Sequence, residues 1–296
     1  MKSNFKYTII MQVGIACILH STFSNAQENK DTITQKLYQV NKVKAYTCYQ
    51  YFLKSRGSDG KKEHKYSYAD VDRNGNETKN IYYSQPPGSN AVIQIDHFFY
   101  DFDGKLLEHL FRDVKTKSNH RGVFYYDEYG NVTERRNYKD DKQYYRMVIT
   151  FDSSGRKNEM LYYSIDFNLL WTVFTYTYTF NDTGYVMSEK SEYASISHPG
   201  EDKLYIDTWH YIYNKKGQLI GEYAPNDSTF KIKRKYEYNA AGQVVKVIDY
   251  ERGDSGDTET NREEYIYNKN GLLLFRKDYY NRKYSGGLRY VYTYYK

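Results

Sequence analysis

The chain has little of what usually stiffens or cross-links a protein. Of 296 residues, 4 are proline, 2 are cysteine, 5 are methionine and 2 are tryptophan. Two cysteines allow one disulfide at most, so this is no disulfide-stapled secreted scaffold. Aliphatic residues are scarce too. The hydrophobic class is 40%, but 38 of those residues are tyrosine, so ring faces must replace much of a conventional aliphatic core. Beyond the first 19 residues no apolar run approaches the 20 or so needed for a helical membrane span. The mean hydropathy of −0.89 agrees. Charge of one sign is also lacking: 43 Lys+Arg are scattered among 37 Asp+Glu. No basic stripe of the kind that tracks nucleic acid is present. Long disorder is excluded by an aromatic content of 18%.

Residues 1–26 read as a secretory signal peptide. Lys2 and Lys6 supply the positive start, Thr8 to Leu19 is a mostly apolar run, and Ser24-Asn25-Ala26 places small residues before a cut at Gln27. Cys17 invites an acylation reading, but Gly14 stands where a lipobox wants Leu and apolar residues continue after the thiol. It is read as part of the run. Removing residues 1–26 takes away two lysines and no acids, leaving a formal charge of +4. Cys48 then has no intramolecular partner, and it lies on an aromatic strand as a packed thiol.

What the chain does have is a repeat. Aromatic-x-aromatic is followed by Asp or Asn, two residues and Gly. The turns that this marks run from Asp72 to Gly75, Asp101 to Gly104, Asp127 to Gly130 and Asp152 to Gly155. Four more run from Asn181 to Gly184, Asn214 to Gly217, Asn239 to Gly242 and Asn268 to Gly271. Successive glycines lie 25 to 33 residues apart, the period of a repeat architecture. Each copy predicts a hairpin. The Asp or Asn side chain accepts a hydrogen bond from the backbone two residues on, and Gly takes the left-handed conformation that closes a type I turn with a bulge. Aromatics two apart share one strand face. An isolated hairpin is marginal in water, so neighbouring hairpins must pair. The expected fold is all-β: a long curved antiparallel sheet of about 16–18 strands, open and shell-like. Residues 27–63 form a lead-in with an aromatic strand, and 64–296 form the repeat domain. Tyr290 to Tyr294 is expected to cover the edge left by the last hairpin.

The turns should lie along one edge and the connections along the other. The longer connections are Ser84–Asn90, Asp113–Gly122, Ala194–Lys203 and Glu251–Arg262. Irregular loops on a regular scaffold are the usual place for binding, which makes His198, Asp202 and Asp254 candidate contacts. Trp171 and Trp209 join them, since exposed indole faces stack on ligands, although their strand context also suits a core.

Lys235-Tyr236-Glu237-Tyr238-Asn239-Ala240-Ala241-Gly242-Gln243-Val244 resembles the YD repeat of the RHS family, roughly Arg-Tyr-x-Tyr-Asp-x-x-Gly-Arg-Leu. The resemblance covers about residues 64–296. Asn replaces Asp in the last four copies, and Arg follows the Gly only at Arg156. The family implies a curved β shell, in some members around a C-terminal toxin. This chain ends in a strand, so no toxin cargo is expected. A weaker likeness is to MORN-like antitoxin repeats, whose regular Gly-x-Trp elements are missing here.

Chemistry finds few footholds. Gly253-Asp254-Ser255-Gly256 matches a protease nucleophile string without its partner histidine. Asp70 to Gly75 resembles the start of a calcium loop, but the twelfth position is Ile81 rather than Glu. The histidines of the mature chain lack metal-ligand spacing. His97 and His109 flank one turn and can meet across it. Asp and Asn interchange at the turns, which speaks for geometry rather than acid–base work. No catalytic residue, metal or cofactor is therefore expected. The reading is an exported, non-enzymatic β-repeat protein that binds a protein partner, neither nucleic acid nor membrane. One alternative is a carbohydrate-binding module with Tyr and Trp platforms. Another is an outer-membrane barrel, whose required apolar outer face is interrupted by Lys246 and Lys277.

Overall fold

The structure is a computed structural model and describes residues 34–52, 62–84, 91–164, 169–195, 204–223, 233–253 and 256–296. The signal-peptide reading of residues 1–26 lies outside them. Eighteen strands run from β1 (Val43–Phe52) to β18 (Lys283–Tyr294) among the described residues. Each pairs antiparallel with the strand before and after it, and β1 also pairs with β18. That last seam runs from Val43 opposite Tyr294 to Phe52 opposite Gly286. The sheet is thus a closed barrel, which corrects the expected open shell. The missing piece is the lead-in strand. β1 bonds β2 (Lys62–Val71) on one side and β18 on the other, so β18, which carries Tyr290 to Tyr294, covers the edge of β17 (Leu273–Tyr280) as expected and is itself covered by β1. Closure removes the two unpaired rows of N–H and C=O groups that an open sheet exposes.

All eight turns form as the repeat predicts. In each, the Gly N–H donates to the Asp or Asn carbonyl three residues earlier, at 2.9–3.1 Å. Gly75, Gly104, Gly130 and Gly155 bond back to Asp72, Asp101, Asp127 and Asp152. Gly184, Gly217, Gly242 and Gly271 bond back to Asn181, Asn214, Asn239 and Asn268. The φ angles of these glycines are between +74° and +90°. Asp72 Oδ1 accepts from the N–H groups of Asn74 and Asn76 at 2.8 and 2.9 Å, so the residues that resembled a calcium loop serve the turn. The register shifts beside every turn, as between Phe99 and Tyr100 or Glu237 and Tyr238. The opposite rim uses different chemistry. Asp140-Asp141 and Asn281-Arg282 are two-residue connections with φ of +46° to +65°, the left-handed pair of a tight hairpin. Two of the expected long loops shrink. Asp113–Gly122 is strand except for 114–118, and Glu251–Arg262 is strand except for residues 254–255, which lie outside the described set. Of the other two expected loops, residues 85–90 and 196–203 lie outside it as well.

Tyrosines stitch neighbouring repeats together, four of them immediately before a turn and Tyr292 at the matching place in the last strand. Tyr100, Tyr126, Tyr238, Tyr267 and Tyr292 each donate a phenol O–H to a backbone carbonyl of the preceding copy, those of Glu77, Leu106, Leu219, Val244 and Leu273, at 2.6–2.9 Å. The acceptor lies five residues past the previous turn's Asp or Asn every time. Phe151 and Phe180 hold the same place in their copies without a hydroxyl. Tyr238→Phe is therefore expected to fit sterically and to cost about 1 kcal/mol, read as a lower urea midpoint at unchanged m-value.

The two walls differ. Most buried residues share one face, as with Asn80 opposite Asp96, Met147 opposite Tyr162, Ile149 opposite Met160 and Tyr176 opposite Ser191. This is the inner face. Met147, Ile149, Met160, Tyr162 and Tyr176 form its main apolar cluster. Cys48 lies on the same face, 2% exposed, its thiol pushed up to about 12 by burial. A helix, α1 (residues 34–40), sits on the turn rim, where Tyr38 packs with Val43, Val71 and Leu272. Ion pairs also run along the outer face. Glu134 takes Arg136 at 2.5 Å and Arg146 at 2.8 Å, and Arg289 takes Glu63 at 2.6 Å. Lys246 meets Glu237 at 2.9 Å, and Arg262 meets Glu264 at 3.2 Å.

Candidate binding cavity

The cavity lies beside the two shortest strands among the described residues. β13 (Leu219–Tyr223) and β14 (Arg234–Tyr238) have five residues each. Their neighbours β12 (Leu204–Tyr213) and β15 (Val244–Gly253) have ten. Beside them lies a cavity of about 250 Å³. β16 (Gly256–Tyr267) completes its wall.

Register builds the lining. Tyr211 faces Glu222, Glu222 faces Arg234, Arg234 faces Asp249, and Asp249 faces Asn261. Five residues from five strands thus form one row, and all five line the cavity. Trp209, two residues before Tyr211, lies on the same face and adds an indole. The register shift between Asp249 and Tyr250 leaves Thr260 as the extra residue, also at the cavity wall.

Electrostatics hold the row in place. Arg234 Nε donates to Asp249 Oδ1 at 2.6 Å. Its Nη1 reaches Glu222 Oε1 at 3.4 Å, which also accepts from the Tyr236 hydroxyl at 3.2 Å. Burial pushes the Glu222 carboxyl up, and Arg234 opposes that shift. Burial alone would lower the Arg234 guanidinium, but the Asp249 hydrogen bond and charge more than reverse it. Lys233 Nζ stands 5.6 Å from the centre of the Trp209 ring, within cation–π range.

A further carboxyl lies beside the indole. Glu189, on β11 (Val186–Ser195), faces Trp209 on one side and Tyr178 on the other. It is 3% exposed, and its Oε1 makes no hydrogen bond. Burial pushes its pKa up to about 7, with Lys157 opposing.

Of the residues singled out in the sequence, Trp209 lines the cavity, half-buried rather than core. Trp171 falls on β10 (Leu169–Phe180), but its side chain is outside the described set. So are His198, Asp202 and Asp254. His97 and His109 do not meet. His97 pairs with Leu110 on the outer face, while His109 turns inward, stacks on Phe98 at 4.6 Å and lies 3.6 Å from Asp96. Sequence reasoning missed Glu222, Arg234, Asp249 and Asn261. One signal was available: Arg234 stands two residues before Tyr236 and four before Tyr238, so strand parity puts a cation on the tyrosine face.

No family model matches the chain, and no curated protein matches it. Solved structures with some likeness include a porin-like protein from Bacteroides uniformis, at 8% identity and a TM-score of 0.43 over 86% of this chain and 97% of that one. A porin-like protein from Bacteroides vulgatus shows 9% identity and a TM-score of 0.29 over 86% and 98%. The Photorhabdus luminescens Tc holotoxin pore shows 12% identity and 0.31 over 81% of this chain and 14% of that one. Likeness at this level assigns neither a family nor a function.

Proposed function

We propose that this chain is an exported β-barrel that stands in water and binds a ligand on its inner wall, without performing chemistry on it. The outer wall carries the argument. A membrane barrel presents an apolar band about 25 Å tall to lipid, and each Arg or Lys at mid-depth costs ~2–4 kcal/mol. Here Arg136, Arg146, Arg262 and Arg289 lie on the outer face in mid-strand, each paired with a carboxylate. Immersing four such cations in lipid costs on the order of 10 kcal/mol. The Arg146 hydrogen bond holds Glu134 below the usual carboxylate range, which keeps a second charge on that surface. The main apolar cluster lies inside, and on the outer face exposed Phe99, Ile206, Ile266 and Val291 are interspersed with these ion pairs, which breaks the band that lipid requires. Binding is favoured over catalysis because Glu222 and Asp249 are both fastened to Arg234 rather than aimed at a reacting atom.

Fractionation tests this. The protein is expected in the soluble envelope fraction after osmotic shock without detergent, and a Cys17→Ser variant should fractionate identically. Retention of both forms in the membrane until detergent is added would instead place the barrel in the outer membrane. Retention of the parent alone would indicate acylation.

A further inference from the structure

We infer that the Trp209 cavity is a carbohydrate subsite that holds one pyranose ring; this deepens the proposed function and rests on its reading of the inner wall as the binding surface. Three observations converge. The cavity is sugar-sized: at about 250 Å³ it falls just below the ~300–1,000 Å³ of drug-sized ligand sites. Its lining combines one large aromatic plane, Trp209, with a dense polar row. A pyranose has the matching character, a patch of C–H groups on one face and hydroxyls around its rim. Indole carbon takes the first, and its N–H end tolerates water.

The polar row fits the hydroxyls. Each hydroxyl is a donor and an acceptor at once. Glu222 and Asp249 supply acceptors, while Arg234, Lys233 and Asn261 supply donors, all lining one cavity. Arg234 binds both carboxylates, which sets their lone pairs in fixed directions before a ligand arrives. Preorganised polar groups of this kind lose little entropy on binding. A purely anionic ligand is disfavoured by three carboxylates at the wall, Glu222, Asp249 and Glu251, against two cations, Lys233 and Arg234. A purely apolar ligand would desolvate the remaining lone pairs and donors of this row without replacing their water.

The test uses tryptophan as its own reporter. The chain has two tryptophans, so Trp171→Phe leaves Trp209 as the sole indole. The exported protein carrying that change is titrated with methyl glucoside, methyl galactoside, methyl mannoside and methyl N-acetylglucosaminide. Saturable change in Trp209 emission with at least one of them is expected. In the otherwise unaltered protein, Trp209→Ala should weaken binding of that sugar about tenfold or more by calorimetry, and Trp209→Phe less, because a ring face remains. Asp249→Asn should weaken it while leaving the indole in place, which keeps the test decisive if Trp209→Ala fails to fold. No saturable response to any of the four sugars overturns the inference, as does binding that neither Trp209→Ala nor Asp249→Asn changes. In that event, quenching of Trp209 by short peptides would keep the inner-wall reading while assigning the cavity to another ligand class. Recovery of the barrel only in detergent would end the water-borne reading by itself.

Discussion

Replacing Glu189 by Gln is expected to stabilise the protein at pH 8 by about 3 kcal/mol and to change little at pH 4. Glu189 is buried between Tyr178 and Trp209 with an unbonded Oε1, and burial raises its pKa from 4.5 to about 7. Below pH 4.5 the carboxyl is protonated in both folded and unfolded chains, and its contribution to stability is fully present. Between pH 4.5 and 7 the unfolded chain releases the proton while the folded chain keeps it. The folded state then binds more protons, so stability falls as pH rises. Above pH 7 the loss levels off. Each tenfold change in proton concentration across that window costs about 1.4 kcal/mol, which gives the magnitude at pH 8. Gln copies the neutral acid in shape and never ionises. Urea midpoints at pH 4, 6 and 8 will show it: the parent should weaken across the window, and Glu189→Gln should remain flat by comparison. Parallel profiles would mean that Glu189 reaches solvent or a partner.

The second large effect concerns the seam that closes the barrel. Gly287 on β18 faces Tyr51 on β1 and Lys277 on β17 (Leu273–Tyr280). A Cβ added there would stand 2.1 Å from the Arg276 carbonyl oxygen and 2.8 Å from the Tyr51 hydroxyl. The carbonyl belongs to the backbone of the adjacent strand, so relief requires β17 and β18 to part. Gly287→Ala is expected to cost about 3 kcal/mol, at the upper end of overpacking penalties. An unstrained glycine-to-alanine change in a strand usually stabilises, because the unfolded chain loses freedom. Gly155→Ala provides the control. Its φ is +74° but nothing lies within 4 Å of the added carbon, so only the left-handed penalty of about 1–2 kcal/mol applies. Thermal unfolding of the two variants compares them. A loss at Gly287 no larger than at Gly155 would show that β17 and β18 adjust freely.

Both effects depend on inner-wall and seam geometry that single copies of the repeat do not contain. The hairpins themselves were legible. Asn239 to Gly242 names its turn because few residues satisfy its hydrogen bonds and left-handed angle. The pairing of Tyr236 and Tyr238 on one face follows from strand parity alone. The tyrosine stitches were not legible, since the phenol of Tyr238 finds its carbonyl on Leu219, 19 residues back and across a strand pair. Arg234 and Asp249 read as ordinary surface charges until their strands are aligned. The row from Tyr211 to Asn261 needs four successive registers to be right, and a slip of one residue in any of them turns that strand's contribution outward.

The sequence by itself determined the all-β class, the eight turns, the two rims and the reliance on tyrosine, because each follows from local stereochemistry repeated along the chain. Only the tertiary structure decided closure, the inner and outer assignment and the cavity. Local rules make every strand pair with its neighbours in the chain, but they do not say whether the first strand meets the last. That depends on twist and register summed over all eighteen strands. Here the sum brings Val43 against Tyr294, and with that contact the row of Glu222, Arg234 and Asp249 faces the inside of a barrel.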